Sequence, residues 1–382
     1  MLSYCFSAAL NNGRFTDNGR DMVSSRNYFF DILRILSVLL VITSHYSYMF
    51  DTSPLLTFPR DYLTGGIGRL GVSFFFMISG ALSYLALSKY DIREFYRRRI
   101  FSVLVPYNIV YFFMGFLLLL LGGIFLYPDN PLTDIYNGNR SFLSILPSIL
   151  GFDHYLHGVY EINTAYLTGE WFIGCIILLY AFSPFIFQAI VRYPIWTMLA
   201  ALALSLATYD KNITNPYWSA QVRVSDFTFG MLLIHYKAWF TRYRYPMAAA
   251  GLILILAGTI WAGMHQLPVR EVLFPLHPVA ILFAVAFLTI LLAVYPFIHP
   301  LFNHGHTRAI MMSLASRAYI IMLLQHVVII FISTNIDMSS LNSAEAVMWY
   351  GVALLGSERL SSLIKPLAVR CEQMLLGRRC LQ

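Results

Sequence analysis

Three ionisable residues lie within the apolar segment FFDILRILSVLLVITSHYSYMF, which covers residues 29–50: Asp31, Arg34 and His45. The imidazole of His45 titrates near neutral pH, so it can take up or release a proton. The guanidinium of Arg34 stays protonated at any working pH and offers a fixed positive charge, which the carboxylate of Asp31 can orient. The segment therefore combines a candidate acid–base group with a fixed cation.

The spacing of these residues predicts that they share one face of a helix. Arg34 and His45 are about three turns apart, so they point to the same side about 16 Å apart along the axis, with Asp31 about 40° from His45. Ionisable groups at membrane depth are costly and usually face the bundle interior or a wet cavity. The alternative is that Asp31 and Arg34 only pair near the interface, with Arg34 reaching toward water, while His45 ends the helix.

The composition indicates the kind of element that must position these residues. Of 382 residues, 58% are hydrophobic and 12% are charged, and the mean hydropathy is +0.64. Soluble domains are roughly one-quarter charged. Several separated apolar runs reach the roughly 20 residues that one bilayer-spanning helix needs, and continuous runs such as YFFMGFLLLLLGGIFL exclude the alternating pattern of a barrel. We predict an all-α, polytopic transmembrane helix bundle.

Apolar runs bounded by Pro, Gly and charged residues predict ten spans. Their approximate limits are 28–49, 67–88, 100–126, 169–190, 195–209, 224–240, 246–264, 278–298, 317–335 and 343–364. With the N-terminus inside, 18 of the 26 basic residues fall in cytosolic segments and six, Arg223 among them, in the opposite loops. Basic residues near span ends resist translocation, so we expect both termini to be cytosolic.

The predicted organisation is one membrane domain, residues 28–364, between a cytosolic N-terminal tail, 1–27, and a basic cytosolic C-terminal tail, 365–382. Within residues 127–168, the stretch SFLSILPSILGF is too short to cross, so we expect it to lie along the outer interface or to re-enter the membrane. Three of the four cysteines fall in the predicted cytosolic parts and one inside a span, so no disulfide framework is expected: Cys5, Cys371, Cys380 and Cys175.

Five segments, in order along the chain, resemble the acyltransferase family 3 membrane proteins. FDILRILSVLLVITSHY is similar to the family's first span, with its Asp, two residues, Arg, ten residues and a His. The others are GGIGRLGVSFFFMISGALS (65–83), REFYRRRIFSVLVPY (93–107, similar to the family's basic cytosolic loop), GEWFIGCIILLYAFSPF (169–185) and AYIIMLLQHVVI (318–329). Together the five matches cover the predicted membrane domain.

The resemblance implies an integral enzyme of the cell (inner) membrane. Such an enzyme takes an acetyl group, or another small acyl group, from cytosolic acetyl-CoA or another acyl-CoA. It passes the group to a hydroxyl of a surface polysaccharide or lipid-linked glycan. Neither a metal nor a nucleic-acid partner is expected.

The resemblance also assigns expected roles to the three residues of the first span. We expect His45 to act as general base, or to accept the acyl group in a relay. Arg34 would hold the donor or stabilise the oxyanion, and Asp31 would orient Arg34.

The sequence departs from the family pattern at two places. Gln325 stands where the family usually has a His, and His326 follows one position later, so both are candidate substrate-binding residues without a firm role. Ser73 stands where many members have Asp.

Two further sets of residues are candidates. Arg97, Arg98 and Arg99 would bind the phosphates of coenzyme A, although basic inner segments also arise for topological reasons alone. Glu170 and Trp171 begin the fourth predicted span at its outer end and would bind the acceptor. The alternative for this pair is an interfacial acid beside an aromatic belt residue.

A histidine-rich loop and two other function classes complete the candidates. The segment HPLFNHGHTR contains three histidines whose spacing is loosely compatible with a metal site: His299, His304 and His306. The segment has no Cys or acidic partners, so we expect no metal there.

A transporter or flippase would also need polar residues at depth, but the sequence shows no paired halves with matching broken helices. A membrane receptor or scaffold would need a large soluble module, and the sequence offers none.

Overall fold

The structure is a computed structural model that describes residues 28–47, 66–120, 142–162, 164, 170–209, 214–276, 278–302 and 304–377, with the backbone alone for 112–120 and 142. Over these ranges the chain is helical and contains no strand. The predicted tail 1–27, parts of 127–168, residues 378–382, Cys5 and Cys380 lie outside the described residues. Cys175 and Cys371 are free thiols.

In chain order the α-helices of the described ranges are α1 (Tyr28–Ser47), α2 (Gly66–Leu87), α3 (Ile92–Leu120), α4 (Ile145–Ile149), α5 (Asp153–Tyr160), α6 (Trp171–Arg192), α7 (Pro194–Tyr209), α8 (Ala220–His235), α9 (Lys237–Arg242), α10 (Arg244–Met264), α11 (Val269–Leu273), α12 (Ala280–Ile298), α13 (Gly305–Ala315), α14 (Ala318–Asn335) and α15 (Ser343–Leu375). Short 3₁₀ turns occur at Phe142–Ser144, Pro216–Trp218 and His299–Phe302.

Six of these helices are long and apolar enough to cross a membrane: α1, α2, α6, α10, α12 with the turn that follows it, and α14. The other four predicted spans coincide with α3, α7, α8 and α15, which are shorter or more charged. The ten-span count and the cytosolic termini therefore stay predictions.

One sequence-based boundary was wrong, and one helix extends past the limit of its predicted span. The basic stretch 93–99, expected in a loop, forms the first turns of α3, because the carboxylate of Asp91 accepts a hydrogen bond from the Glu94 amide and caps the helix. Glu94 then pairs with arginines one turn further along. At the other end of the chain, α15 continues to Leu375, past residue 364, where the predicted last span ends.

The centre of the bundle is built on a close crossing of α2 and α8. A Cβ added at Gly80 would lie 1.9 Å from the Phe227 carbonyl oxygen, and one added at Gly230 would lie 1.9 Å from the Met77 carbonyl oxygen. Only glycine fits at both positions, because any side chain would collide with the facing backbone. The crossing fixes α2 against α8, and α1 packs on another side of α2.

Three helix segments bring the candidate residues together. The C-terminal half of α1 packs against α14, and α6 contacts α2, α3 and α8. The outer end predicted for α1 therefore lies beside the middle of α14 and the start of α6. Apolar side chains from all three helices join one buried cluster that surrounds this junction.

Candidate functional site

Two histidines from distant parts of the chain form a stack. The imidazole of His45, near the end of α1, lies parallel to that of His326 on α14, with centroids 4.0 Å apart and planes within 6°. Nδ1 of His326 donates to Oε1 of Glu170, 2.6 Å away. Glu170 is the N-cap residue of α6 and is largely buried. A carboxylate and two imidazoles thus form one continuous chain of contacts.

Gln325 holds the other side of the stack. Its side chain is fully buried, and Nδ1 of His45 lies 3.0 Å from its Oε1 and 2.8 Å from its Nε2. Nε2 of His45 makes no hydrogen bond to any residue that the structure describes. The two adjacent residues of α14 therefore have different contacts: Gln325 orients His45, and His326 joins it to Glu170.

Asp31 and Arg34 lie at the opposite end of α1 from His45. Nη1 of Arg34 donates to Oδ1 of Asp31 at 2.8 Å, and the Asp31 side chain is buried. Arg34 borders a cavity of about 310 Å³. The stripe inferred from the sequence therefore faces the interior of the bundle at both ends, with the cation and the imidazole about 16 Å apart along the axis.

The cavity beside Arg34 leads along two helices toward the histidine stack. Phe172, Ile176 and Tyr180 line it from one face of α6, and Tyr319 lines it from α14. Tyr319 and His326 are about two turns apart, so they share a face of α14 at levels about 10 Å apart. The volume of the cavity is within the range of small-molecule pockets. The cavity therefore has room for a narrow ligand arm on the side of α6 and α14 that also carries the histidine stack.

The three candidate arginines of α3, Arg97, Arg98 and Arg99, make different contacts. Nε of Arg98 donates to Glu94 Oε1 at 2.5 Å, and Nη2 of Arg97 donates to the Leu375 carbonyl at 3.1 Å. Arg99 donates to the Leu82 carbonyl and lies over the ring of Tyr180. Because Leu82 and Tyr180 both line the cavity, Arg99 lies at its edge, while Arg97 lies against the end of α15.

Trp171 belongs to an aromatic wall beside Glu170. Its ring stacks on that of Trp218, with centroids 5.7 Å apart and planes within 1°. His154 of α5 stacks on Trp218, and its Nδ1 is buried without a hydrogen-bond partner among the described residues. Burial lowers the pKa of His154 below its usual value, and the nearby Glu170 carboxylate opposes the shift. Burial thus favours the neutral form of the His154 imidazole.

Sequence reasoning missed a buried ion pair next to this wall. Arg223, expected in an outer loop, lies in the first turn of α8 with 3% of its surface exposed, and its Nη1 donates to Asp226 Oδ2 at 2.9 Å. Its guanidinium lies 3.6 Å from the ring centroid of Tyr217. The loop assignment was wrong because α8 begins at Ala220. The signal for it was an Arg and an Asp three residues apart, as in α1.

The ion pair of Arg223 and Asp226 contacts Ser73, the residue that stands where many family members have Asp. The Oγ of Ser73 donates to Asp226 Oδ2 at 3.4 Å. A carboxylate is therefore present beside Ser73, supplied by α8, although residue 73 itself carries only a hydroxyl. Position 73, where many family members carry an Asp, therefore contacts the carboxylate of Asp226 in this chain.

The candidate metal loop does not join the site. His299 packs against Tyr28 and Tyr295, and His304 and His306 are exposed. Across the described ranges, no group of three or more His, Cys, Asp or Glu side chains could hold a metal ion.

Comparison with known proteins gives one match. A family model described as an acyltransferase domain matches residues 27–357, most of the chain. No curated protein and no solved structure matches the chain. The matched range begins one residue before α1 and ends within α15, so it contains the histidine stack, the cavity and the buried ion pair.

Proposed function

The chain belongs to the acyltransferase-3 family, and from this premise we propose that it transfers an acetyl or other small acyl group from cytosolic acyl-CoA to a hydroxyl of a cell-surface polysaccharide or lipid-linked glycan. The six helices of the described ranges that are long and apolar enough to cross a bilayer support a multi-pass membrane protein, for which we propose the cell (inner) membrane. The observation that carries the proposal is the stack of His45 on His326, with Glu170 on one side and Gln325 on the other.

His45 is the proposed general base. When Oε1 of Gln325 accepts the Nδ1 proton, the lone pair of His45 is on Nε2, which is the nitrogen that can take a proton from the acceptor hydroxyl. Glu170 favours a positive charge on His326, and a cation 4.0 Å from His45 disfavours a second one there. His45 is thus held ready to accept a proton.

The proposed reaction is a direct transfer. The acceptor hydroxyl loses its proton to His45 while its oxygen attacks the thioester carbonyl carbon and forms a tetrahedral intermediate. The carbon–sulfur bond then breaks, the acyl group stays on the acceptor oxygen, and the departing thiolate of coenzyme A takes the proton from His45. If donor and acceptor meet from opposite sides, His45 itself carries the acyl group between them.

Arg34 has the geometry of a donor-holding residue. It is about 16 Å from His45 along α1, too far to touch the oxyanion formed there, but it lines the cavity through which the donor arm would pass. Asp31 fixes its orientation. Arg97, Arg98 and Arg99 remain proposed phosphate contacts, with Arg99 at the cavity edge.

The acceptor is proposed to bind beside Glu170 and Trp171. The wall of Trp171, Trp218 and His154 combines aromatic rings with a buried ring nitrogen that has no hydrogen-bond partner among the described residues. Sugars bind beside aromatic rings by apolar stacking and hydrogen bonds. Glu170 and His326 lie between this wall and His45 in the chain of contacts. The acceptor hydroxyl would reach His45 from that side.

Purified protein given labelled acetyl-CoA and envelope glycan tests the proposal. We expect His45→Ala to lower acceptor-dependent transfer by about 10²- to 10⁴-fold, the usual contribution of a general base. His265→Ala is the matched control, because His265 is exposed and, among the described residues, contacts Trp261 of the helix that it follows. Full activity of His45→Ala would refute the catalytic role, and glycan movement without release of coenzyme A would favour a flippase.

A further inference from the structure

A basic pocket lies between α13, the start of α14 and the C-terminal third of α15. It has a volume of about 450 Å³ and is lined by Ser313, Arg317, Ser362, Lys365, Pro366, Val369 and Arg370. Pro366, Val369 and Arg370 are exposed, so the pocket is accessible from outside the bundle. By the charge distribution of the sequence, this end of the bundle faces the cytosol.

The pocket carries a net positive charge. Three cations line it, and no carboxylate is among its described lining residues. Glu358 lies 2.6 Å from Arg317 and offsets one of the three charges. Arg370 has no ion pair within the described part of the chain. Two hydroxyl groups, from Ser313 and Ser362, add neutral donors beside the cations, a mixture typical of phosphate sites.

This pocket is separated from the inner cavity by a thin partition. Ser316 lines the cavity, and Nζ of Lys365, which lines the pocket, donates to the Ser316 hydroxyl. Arg317, the next residue, lines the pocket, and Ala318 lines the cavity again. The Lys365 side chain therefore contacts residues of both spaces, so the two lie directly beside each other.

The two spaces match the two halves of a coenzyme A thioester. From Arg317 to His326 is nine residues of α14, about 13 Å along the axis, a span suited to an extended pantetheine arm. The phosphates must stay on the aqueous side, where cations offset their charge. The arm is narrow and weakly polar, as the cavity requires.

We propose that the pocket of Arg317, Lys365 and Arg370 binds the phosphates of the acyl-CoA donor, whose arm passes Ser316 into the cavity beside Arg34. This inference rests on the proposed function. Arg97 borders the same face, because it donates to the carbonyl of Leu375, about 7 Å along α15 from Arg370. The arginines of α3 are then the edge of this site and the pocket is its centre.

Binding of coenzyme A itself to the purified protein in zwitterionic nanodiscs tests the assignment, with calorimetry as the readout. We expect Lys365→Gln with Arg370→Gln to raise the Kd for coenzyme A at least tenfold, because contacts between charged groups are lost. Arg192→Gln with Arg242→Gln is the matched control: it removes two positive charges from other predicted cytosolic segments, and its Kd should equal that of the unaltered protein. Arg97→Gln with Arg98→Gln should have a smaller effect than the pocket pair.

A second variant and a second acyl donor distinguish a loss of phosphate binding from a loss of folded protein. Ser362→Glu puts a carboxylate into the pocket and should raise the Kd similarly. For both pocket variants, the KM for acetyl-CoA should rise while transfer from acetyl-pantetheine, which lacks the phosphates, stays at the unaltered rate.

The outcomes separate this inference from the proposed function. If the unaltered protein binds coenzyme A and transfers the acyl group, but the pocket variants keep its Kd and KM, the pocket assignment is overturned and the acyltransferase proposal stands. If the pocket variants retain less anionic lipid than the unaltered protein in phosphatidylglycerol nanodiscs, and their Kd for coenzyme A is unchanged, the pocket is a lipid headgroup site instead. An unaltered protein that binds no coenzyme A would refute both.

Discussion

The imidazole rings of His45 and His326 stack with their centroids 4.0 Å apart, and Glu170 contacts the second ring through a 2.6 Å hydrogen bond. Two imidazoles in such contact do not both carry a positive charge at low cost. The Glu170 carboxylate lies against His326, so it favours a positive charge there over one on His45. The protonation of His45, the proposed base, therefore depends on a residue that does not touch it directly.

Replacing Glu170 by Gln should lower acyl transfer by about 10²-fold, because His326 loses its anionic partner and no longer keeps the charge away from His45. The kcat at saturating acetyl-CoA measures this effect, and the KM for the donor should change little. His326→Ala should add little to the loss in the Glu170→Gln background, since both residues act on His45. Glu161→Gln, at the exposed acid that directly follows α5, is the matched control. Additive losses from Glu170 and His326 would contradict the shared role.

Gly80→Ala should destabilise the protein by about 1–3 kcal/mol or more, because its Cβ would lie 1.9 Å from the Phe227 carbonyl oxygen and would push α2 away from α8. Gly351→Ala provides the control, since a Cβ at that position of α15 meets no atom within 4 Å. Alanine there should leave stability unchanged or raise it slightly, through its higher helix propensity. Thermal unfolding in detergent compares the two variants, and equal midpoints would show that the crossing tolerates a side chain.

Arg223→Met should cost about 3–5 kcal/mol of stability, because it leaves Asp226 as an unpaired buried carboxylate. Adding Asp226→Leu should recover much of the loss, since a buried pair replaced by apolar residues costs less than a broken one. Unfolding midpoints of the two single variants and the double variant give the coupling. A double variant as unstable as the sum of the single ones would indicate that the two side chains act separately.

Membrane orientation is testable with single cysteines in a chain whose four native cysteines are replaced by Ala. Ser340→Cys, in the exposed turn between α14 and α15, should react with a membrane-impermeant thiol reagent in intact cells. Lys89→Cys, exposed between α2 and α3, should react only after permeabilisation, because its basic segment is predicted to be cytosolic. The reverse pattern would invert the topology.

Much of this protein could be read from local sequence properties. Apolar runs of bilayer length predicted helices, and each of the ten predicted spans coincides with a helix in the described ranges. The family resemblance, carried by short ordered motifs, is confirmed by the match over residues 27–357. The common face of Arg34 and His45 follows from helical periodicity alone, and both ends of it face the bundle interior.

The errors at helix ends also have a local cause, which apolar runs do not reveal. The start of α3 is set by the Asp91 cap and the pairing of Glu94 with the arginines that follow it. The start of α8 is set by Ser219, whose hydroxyl accepts from the Val222 amide. Both helices therefore begin in polar sequence, ahead of the apolar stretch that predicted them.

Only the tertiary structure decided which residues meet. His45 contacts Gln325, which is 280 positions away, and Glu170 contacts His326 at a separation of 156. These contacts depend on how α1, α6 and α14 pack, and that packing follows from shape, such as the fit of Gly80 against the α8 backbone. A helix period determines the direction of a side chain around its own axis. It carries no information about which other helix that side chain faces.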